Sequence, residues 1–411
     1  MDPLTHTLAG ASLAQTRLGR LGALPRRLAA TTLILGANLP DVDAAAYFVG
    51  SDFALEHRRG WTHGVLAAVL LPLMLAGLAF AWDRFRRRRT AAPDARSAAR
   101  RPDDPRPEEA TPSPDGDPRT EAPARFGPLL ALAALAVWTH PLLDWLNTYG
   151  IRFFAPFDWG WSYGDAVYIV DPWLWLLLGG GLFLAFSRTR RALAAWGLLG
   201  LLTTLVVLTG APAPARWTWL AGLALLAALR WRGAAPARRP GVERLGTAAL
   251  AAAVVYTGLL VASEETGRGV VLRHLDPEAR AATPEAPGTA GGPEVRGVMV
   301  GPEAADPFHR QVVVATREGY RLGRLDWLAE PRLTLEPGLV AAPDLTPVVR
   351  AALEAPQVRG FVTWMRFPAV RVEAGPDGFT VHLFDLRYAR RPGTGFGTAT
   401  VRLSPELQVV P

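Results

Sequence analysis

Four windows of this 411-residue chain, 64–82, 172–187, 192–211 and 245–262, hold no charged residue and little that is polar. An α-helix rises about 1.5 Å per residue, so roughly 20 such residues cross a bilayer. The first, third and fourth windows meet that length. Shorter apolar runs cover 128–139 and 217–229, and the first of these continues into a polar motif. Two further helical stretches, about 3–16 and 27–40, are rich in small residues and too short to cross. They read as a helical hairpin packed into a bundle. The expected fold is an α-helical polytopic membrane bundle.

The arginines choose its orientation. All 44 basic residues are arginine, which with the abundant Ala, Gly and Pro reads as coding bias. A pI near 10.4 raises nucleic acid as a partner. The arginines bracket apolar runs instead of forming one stripe, however, and that distribution belongs to membrane orientation. Connections 17–27, 83–126, 188–191 and 230–244 carry twenty-three arginines, whereas 41–63, 148–170 and 212–216 carry four. Arginine-rich connections stay cytoplasmic. The second set, and everything after residue 262, is therefore expected outside. With Asp2 and no basic stretch at the start, no cleavable signal peptide is expected. The absence of cysteine excludes disulfides, thiolate metal sites and a cysteine nucleophile.

Residues 86–125 pass from an RRRR tract into Pro, Asp, Glu and Ala. This is the composition of a disordered cytoplasmic insertion whose arginines lie against anionic headgroups. DNA binding by the same tract is the weaker reading. Residues 1–262 thus form the membrane domain and 263–296, rich in Gly, Pro, Glu and Ala, a linker. From 297 to 411 come short alternating runs, VRGVMV, RQVVVAT, FVTWMRF, AVRVEA, FTVHLFDLRY and ATVRLS, with a turn at PDG 376–378. They predict a small β-rich (α+β) extracytoplasmic domain.

On that topology the unusual polar residues fall on one face. His6 starts the first helix. Asn38, Asp41 and Asp43 follow the second. His57, Arg58, Arg59 and His63 precede the third, and His140, Asp144 and Asn147 close the fourth. Imidazole and carboxylate are the donors left for zinc, manganese or iron when cysteine is absent. His140 and Asp144, at i and i+4, share a helical face. Of Asp41 and Asp43, one can ligate while the other orients a histidine from behind. Arg58 and Arg59 stand ready for an anionic group. Plainer readings exist for each. His140 and Asp144 can be a structural pair, Asp41 and Asp43 helix caps, Thr5 and Thr62 N-caps, His57 a surface residue, and the two arginines interface residues. His274, His309 and His382 read as structural or exposed. The aromatic loop 148–170 is expected as an interfacial lid, with Asp158, Asp165 and Asp171 as further candidate ligands. No P-loop, GxGxxG or GxSxG element is present. The GGG at 179–181 reads as close helix packing.

In order, THTLAG, LGANLPDVD, HRRGWTHG and THPLLDWLNTYG resemble the motifs of the YdjM-like family of bacterial inner-membrane, metal-dependent hydrolases, also described as a domain of unknown function. The resemblance covers about residues 1–185. DPFHRQVVVA, WMRFPAV and FDLRY are similar to the extracytoplasmic tail of longer members, and the insertion at 86–125 is longer than the family pattern. The resemblance implies metal-dependent hydrolysis in the membrane, with distant similarity to zinc-dependent phospholipase C and related nucleases. By motif position it makes His6, Asp41, His63, His140 and Asp144 the metal-site candidates. The expected reaction is attack of activated water on a phosphoester or other ester of a lipid-like substrate. Asp43 or His57 would act as base or orienter, and Arg58 or Arg59 would hold the anion. The competing readings are an ion-binding transporter or sensor with a partner-binding β-rich domain, and a structural protein whose polar cluster staples helices.

Overall fold

The structure, a computed structural model, describes residues 1–91, 122–233, 241–275, 295–393 and 395–410. Helices α1 (Pro3–Gln15) and α2 (Arg26–Asn38) form the expected hairpin. Asp2 caps α1 by accepting from the Thr5 backbone N–H at 3.0 Å. The cap is therefore Asp2, and Thr5, expected there, lies inside the helix and donates its hydroxyl to the same carboxylate at 2.6 Å. The hairpin closes tightly because Gly10 has no side chain: a Cβ there would lie 2.7 Å from the Leu33 carbonyl oxygen. Asn38 serves this pairing, accepting from the Thr7 hydroxyl at 3.2 Å.

A short helix α3 (Ser51–His57) precedes α4 (Ala67–Ala91) and α5 (Phe126–Trp145). Next come α6 (Pro172–Phe186), α7 (Arg190–Gly210), α8 (Ala213–Arg232) and α9 (Val242–Leu275). Ala67–Arg89, α5, α7 and α9 are long and apolar enough to cross a membrane, and α6 is a shorter apolar helix. The run 128–139 thus sits in a full-length span. Its helix continues through His140 and Asp144 because both side chains are fully buried against neighbouring helices rather than facing lipid. The GGG at 179–181 packs closely, since a Cβ on Gly181 would fall 2.5 Å from that of Ala249.

Two composition-based boundaries shift. Helix α4 runs to Ala91, inside the stretch expected to be disordered from 86; residues 92–121 lie outside the described residues. Helix α9 runs to Leu275, inside the expected linker, of which 276–294 lie outside the described residues. The reason is packing: Val271 is fully buried in one apolar cluster with Val298, Val300, Val312, Val314 and Leu325 of the following sheet.

That sheet is a meander of β1 (Val295–Glu303), β2 (Asp306–Thr316), β3 (Gly319–Asp326) and β4 (Leu333–Leu335), with β5 (Val340–Ala341) also paired to β3. Helices α10 (Pro347–Leu353) and α11 (Arg359–Trp364) follow. A second antiparallel sheet holds β6 (Pro368–Gly375), β7 (Gly378–Asp385), β8 (Thr398–Leu403) and β9 (Val409–Val410). The expected PDG turn joins β6 to β7, with Gly375 paired to Gly378 and Gly378 at φ 128°. The unbroken VVV of β2 is buried on both faces. Val312 and Val314 meet α9, while Val313 packs with Met299, Phe367 and Phe384 between the sheets.

The β domain is fastened to one end of the bundle. Arg310, 1% exposed, donates to the carbonyls of Leu260 and Ala166 at 2.7 and 3.1 Å and to Ser263 Oγ at 2.8 Å. Arg387 donates to the Thr148 carbonyl at 2.7 Å, and Trp364 Nε1 to the Tyr149 carbonyl at 3.1 Å. Asp52 of α3 accepts from the backbone N–H groups of Gly360 and Phe361 at 3.1 and 2.9 Å. At the opposite end Arg17 and Arg20 pair with Glu243, and Arg230 bonds Ser187.

Candidate metal centre

The segments that carry the motifs meet at the end covered by the β domain. His6 comes from α1. Asp41 and Asp43 lie in a 3-10 segment, Leu39–Phe48, that follows α2 and has Pro40 in its first turn. Arg58, Arg59, Thr62 and His63 form the turn before α4, and α5 brings His140 and Asp144. The turn is shaped by Arg59, whose left-handed backbone (φ 57°) is unfavourable for a residue with a Cβ. It is held there by its N–H, which donates to Asp43 at 2.8 Å, and by its carbonyl, which accepts from Arg152 at 2.8 Å.

One ligand atom each from Asp41, His63, His140 and Asp144 lies within 4.8 Å of the other three. His63 Nε2 is 3.2 Å from His140 Nε2 and 3.2 Å from Asp144 Oδ2. His140 Nε2 is 3.5 Å from Asp144 Oδ2 and 3.8 Å from Asp41 Oδ1. Donors about 2.0–2.2 Å from a tetrahedral ion stand about 3.4 Å apart, so the spacing fits one ion.

The tautomers follow from the outer nitrogens. His140 Nδ1 is 2.7 Å from the Ala37 carbonyl oxygen, which can only accept, so Nδ1 carries the proton. His63 Nδ1 lies 2.9 Å from Thr62 Oγ1 and 3.3 Å from Asp43 Oδ2. Thr62 spends its hydroxyl proton on Asp43 at 2.8 Å, leaving its oxygen to accept from His63. Both Nε2 lone pairs therefore point at each other and at carboxylate oxygen. A structural His140–Asp144 pair would not explain that convergence, because acceptors without a donor repel and each buried orphan costs about 1–3 kcal/mol. Burial holds the His63 pKa below its ordinary value against the pull of Asp43, which keeps the ring neutral as a ligand. Burial alone would raise the Asp43 carboxyl, but its contact with His63 and the Arg58 charge hold it well below the usual carboxylate range.

His6 stacks on His140 with ring centroids 3.7 Å apart, and its Nε2 is 3.4 Å from Asp144 Oδ1. Both its ring nitrogens are buried with no hydrogen-bond partner, and Asp144 Oδ2 accepts no hydrogen bond. The Met1 ammonium group also contacts Asp144. An imidazole lone pair and a carboxylate oxygen left without a hydrogen-bond donor suit a bound divalent cation. Asp41 and Asp43 keep 12% and 11% side-chain exposure while the other donors have none, so the cluster opens on their side.

A family model described as YdjM inner membrane protein matches residues 1–215. The chain belongs to the YdjM inner membrane protein family. It is a multi-pass membrane protein, and the matched YdjM region contains every element that supplies a donor to the cluster. Searches of curated proteins and of solved structures found no match.

Several candidates stand elsewhere. His57 is exposed, its ring stacked on Phe53 and its Nδ1 3.0 Å from the Phe53 carbonyl oxygen, so neither role expected of it, base or orienter, is served by this placement. Arg58 is engaged by Asp41 at 2.9 Å, Asp43 at 3.1 Å and Tyr47 at 3.1 Å. Asp43 stands behind His63, not at the centre. Asp158 accepts from Gly160 N–H, Asp165 pairs with Arg366 at 2.7 Å, and Asp171 caps α6. Thr62, expected as a helix cap, instead lies five residues ahead of α4, where it accepts from His63 Nδ1 and donates to Asp43. The loop 148–170 exposes Phe154, Phe157 and Trp159, but its first residues, Thr148 and Tyr149, are gripped by the β domain. The sequence reading passed over that grip because its partners lie more than 200 residues away.

Proposed function

We propose that this YdjM family member is a membrane-embedded, metal-dependent hydrolase acting on a phosphoester or other ester of a lipid-like substrate. The observation that carries the reading is the pair of facing Nε2 atoms beside Asp144 Oδ2. Asp41, His63, His140 and Asp144 would hold the ion, with His6 beside them. The donor set suits zinc and also accommodates manganese or iron. A divalent ion bound there supplies a lowered pKa for water and polarises a phosphoryl or carbonyl oxygen.

The chain's own groups do the rest. Asp43 and Thr62 fix the His63 tautomer, and Ala37 fixes that of His140. Arg59 places a guanidinium nitrogen 3.2 Å from Asp144 Oδ2, where it adds positive charge beside the reacting group. The partly exposed Asp41 and Asp43 mark the side from which substrate arrives. The arginine distribution supports an extracytoplasmic side for this end of the bundle and for the β domain. All four donors lie at one end of the bundle, which favours hydrolysis at a membrane face over passage of an ion through it.

The test is elemental analysis of detergent-purified protein, with phosphodiesterase and esterase screens of wild type beside Asp41→Asn. Stoichiometric metal and an activity lost in Asp41→Asn are expected. Metal below about a tenth of an ion per chain, unchanged in His63→Ala and His140→Ala, removes the basis for the reading.

A further inference from the structure

Two residues next to the cluster carry buried hydrogen-bond donors that no protein atom satisfies: Asn147 Nδ2 and Arg59 Nε. The Asn147 amide cannot be turned around to cure this. Its Oδ1 already accepts from Tyr149 N–H at 2.8 Å, Gly150 N–H at 3.3 Å and Arg59 Nη1 at 3.4 Å. A flipped amide would set its NH2 against three donors. Arg59 is equally fixed. Nη1 donates to the Gly150 carbonyl at 3.1 Å, Nη2 faces Asp144 at 3.2 Å, and the guanidinium carbon lies 4.3 Å from the Tyr149 ring centre. Asn147 is fully buried and Arg59 3% exposed, so bulk water does not supply the missing acceptors. Two such donors, one charged, on residues that touch each other through Arg59 Nη1 and Asn147 Oδ1, call for a guest rich in acceptor oxygen.

Charge says which guest. Asp41, Asp43 and Asp144 bring three negative charges, and Arg58, Arg59 and the Met1 ammonium group three positive. A divalent ion held by the proposed ligands turns the balance positive, so the guest that completes the site is an anion. A carboxylic ester is neutral before it reacts, whereas a phosphoester carries its charge from the start.

We propose that Arg59 Nε and Asn147 Nδ2 form an oxyanion-binding pair that selects a phosphoryl group, which makes the substrate class a phosphoester. This rests on the metal-hydrolase reading for its charge balance. Arg59 would thereby act on the substrate through Nε while its Nη2 steadies Asp144.

The probe is inorganic phosphate, titrated calorimetrically into the full chain in detergent after zinc loading, with metal content and thermal unfolding measured on the same samples. Wild type is expected to bind phosphate. Asn147→Asp keeps an acceptor for Tyr149 and Gly150 but removes the NH2, and is expected to bind at least about tenfold more weakly. Arg59→Lys keeps the charge and the left-handed backbone but lacks Nε, and gives a second reading should Asn147→Asp fail to fold. No phosphate binding by zinc-loaded wild type overturns the proposal and leaves the metal reading standing. Equal binding by a folded variant with wild-type metal content also overturns it. If wild type takes up no zinc yet binds phosphate in an Asn147-dependent way, the metal reading falls and the oxyanion pair remains.

Discussion

The Nε2 atoms of His63 and His140 stand 3.2 Å apart, and each ring gives its opposite nitrogen to an acceptor. Neutral imidazoles held this way have nothing to share except a cation. His63→Ala and His140→Ala are therefore each expected to lower bound metal at least about tenfold, read by elemental analysis after dialysis. Unchanged metal in both would show that the two rings are only packed against each other.

Asp43 is predicted to matter for affinity and not for stoichiometry. Asp43→Asn keeps one oxygen but loses the charge that draws on His63, so zinc affinity should fall about 10- to 100-fold. Competition against a chelating dye reads this directly, and an affinity equal to wild type would assign Asp43 to the Arg58 contact alone.

The junction between the two domains offers a stability test. Asp385 and Arg387 have side chains with no exposure and pair at 2.8 Å. Arg387→Met strands the carboxylate and should cost about 3–5 kcal/mol. Asp52→Ala, which only uncaps α11, should cost about 0.5–2 kcal/mol. Thermal unfolding in detergent orders the two, and a larger loss for Asp52→Ala contradicts the assigned roles.

Membrane sidedness has its own measurement. A reporter that folds only outside the cytoplasm, fused at the end of the β domain, is expected to be active, and one fused in the Arg-rich segment 92–121 inactive. The reverse pattern would overturn the arginine-based orientation.

Much of the site was legible because its residues violate their surroundings. A histidine and an aspartate inside an apolar helix, at i and i+4, have few reasons to be there. Asp41 and Asp43 could not be told apart in sequence, since they share chemistry and differ only in which atoms reach them from the turn at Arg59 and Thr62. His57 was drawn in by its neighbours; in three dimensions Phe53, one turn earlier on α3, holds it at the surface. The length of α9 was hidden because Gly, Glu and Arg after residue 262 look like the start of a loop. Only the sheet laid over Val271 reveals why the helix persists. Asn147 ended a helix in the sequence reading, and its idle amide protons become visible only once every other partner is placed.

The cap that Asp52 places on α11 joins positions some 300 residues apart in the chain. A ribosome threading this protein into the bilayer delivers His6, Asp41, His63 and His140 long before Gly360 exists to meet Asp52, or Trp364 and Arg387 to clasp the turn at Thr148 and Tyr149. The end that gathers the candidate ligands is thus the last to gain its full set of contacts, and a truncated product would carry Asp41, His63, His140 and Asp144 without the clasp.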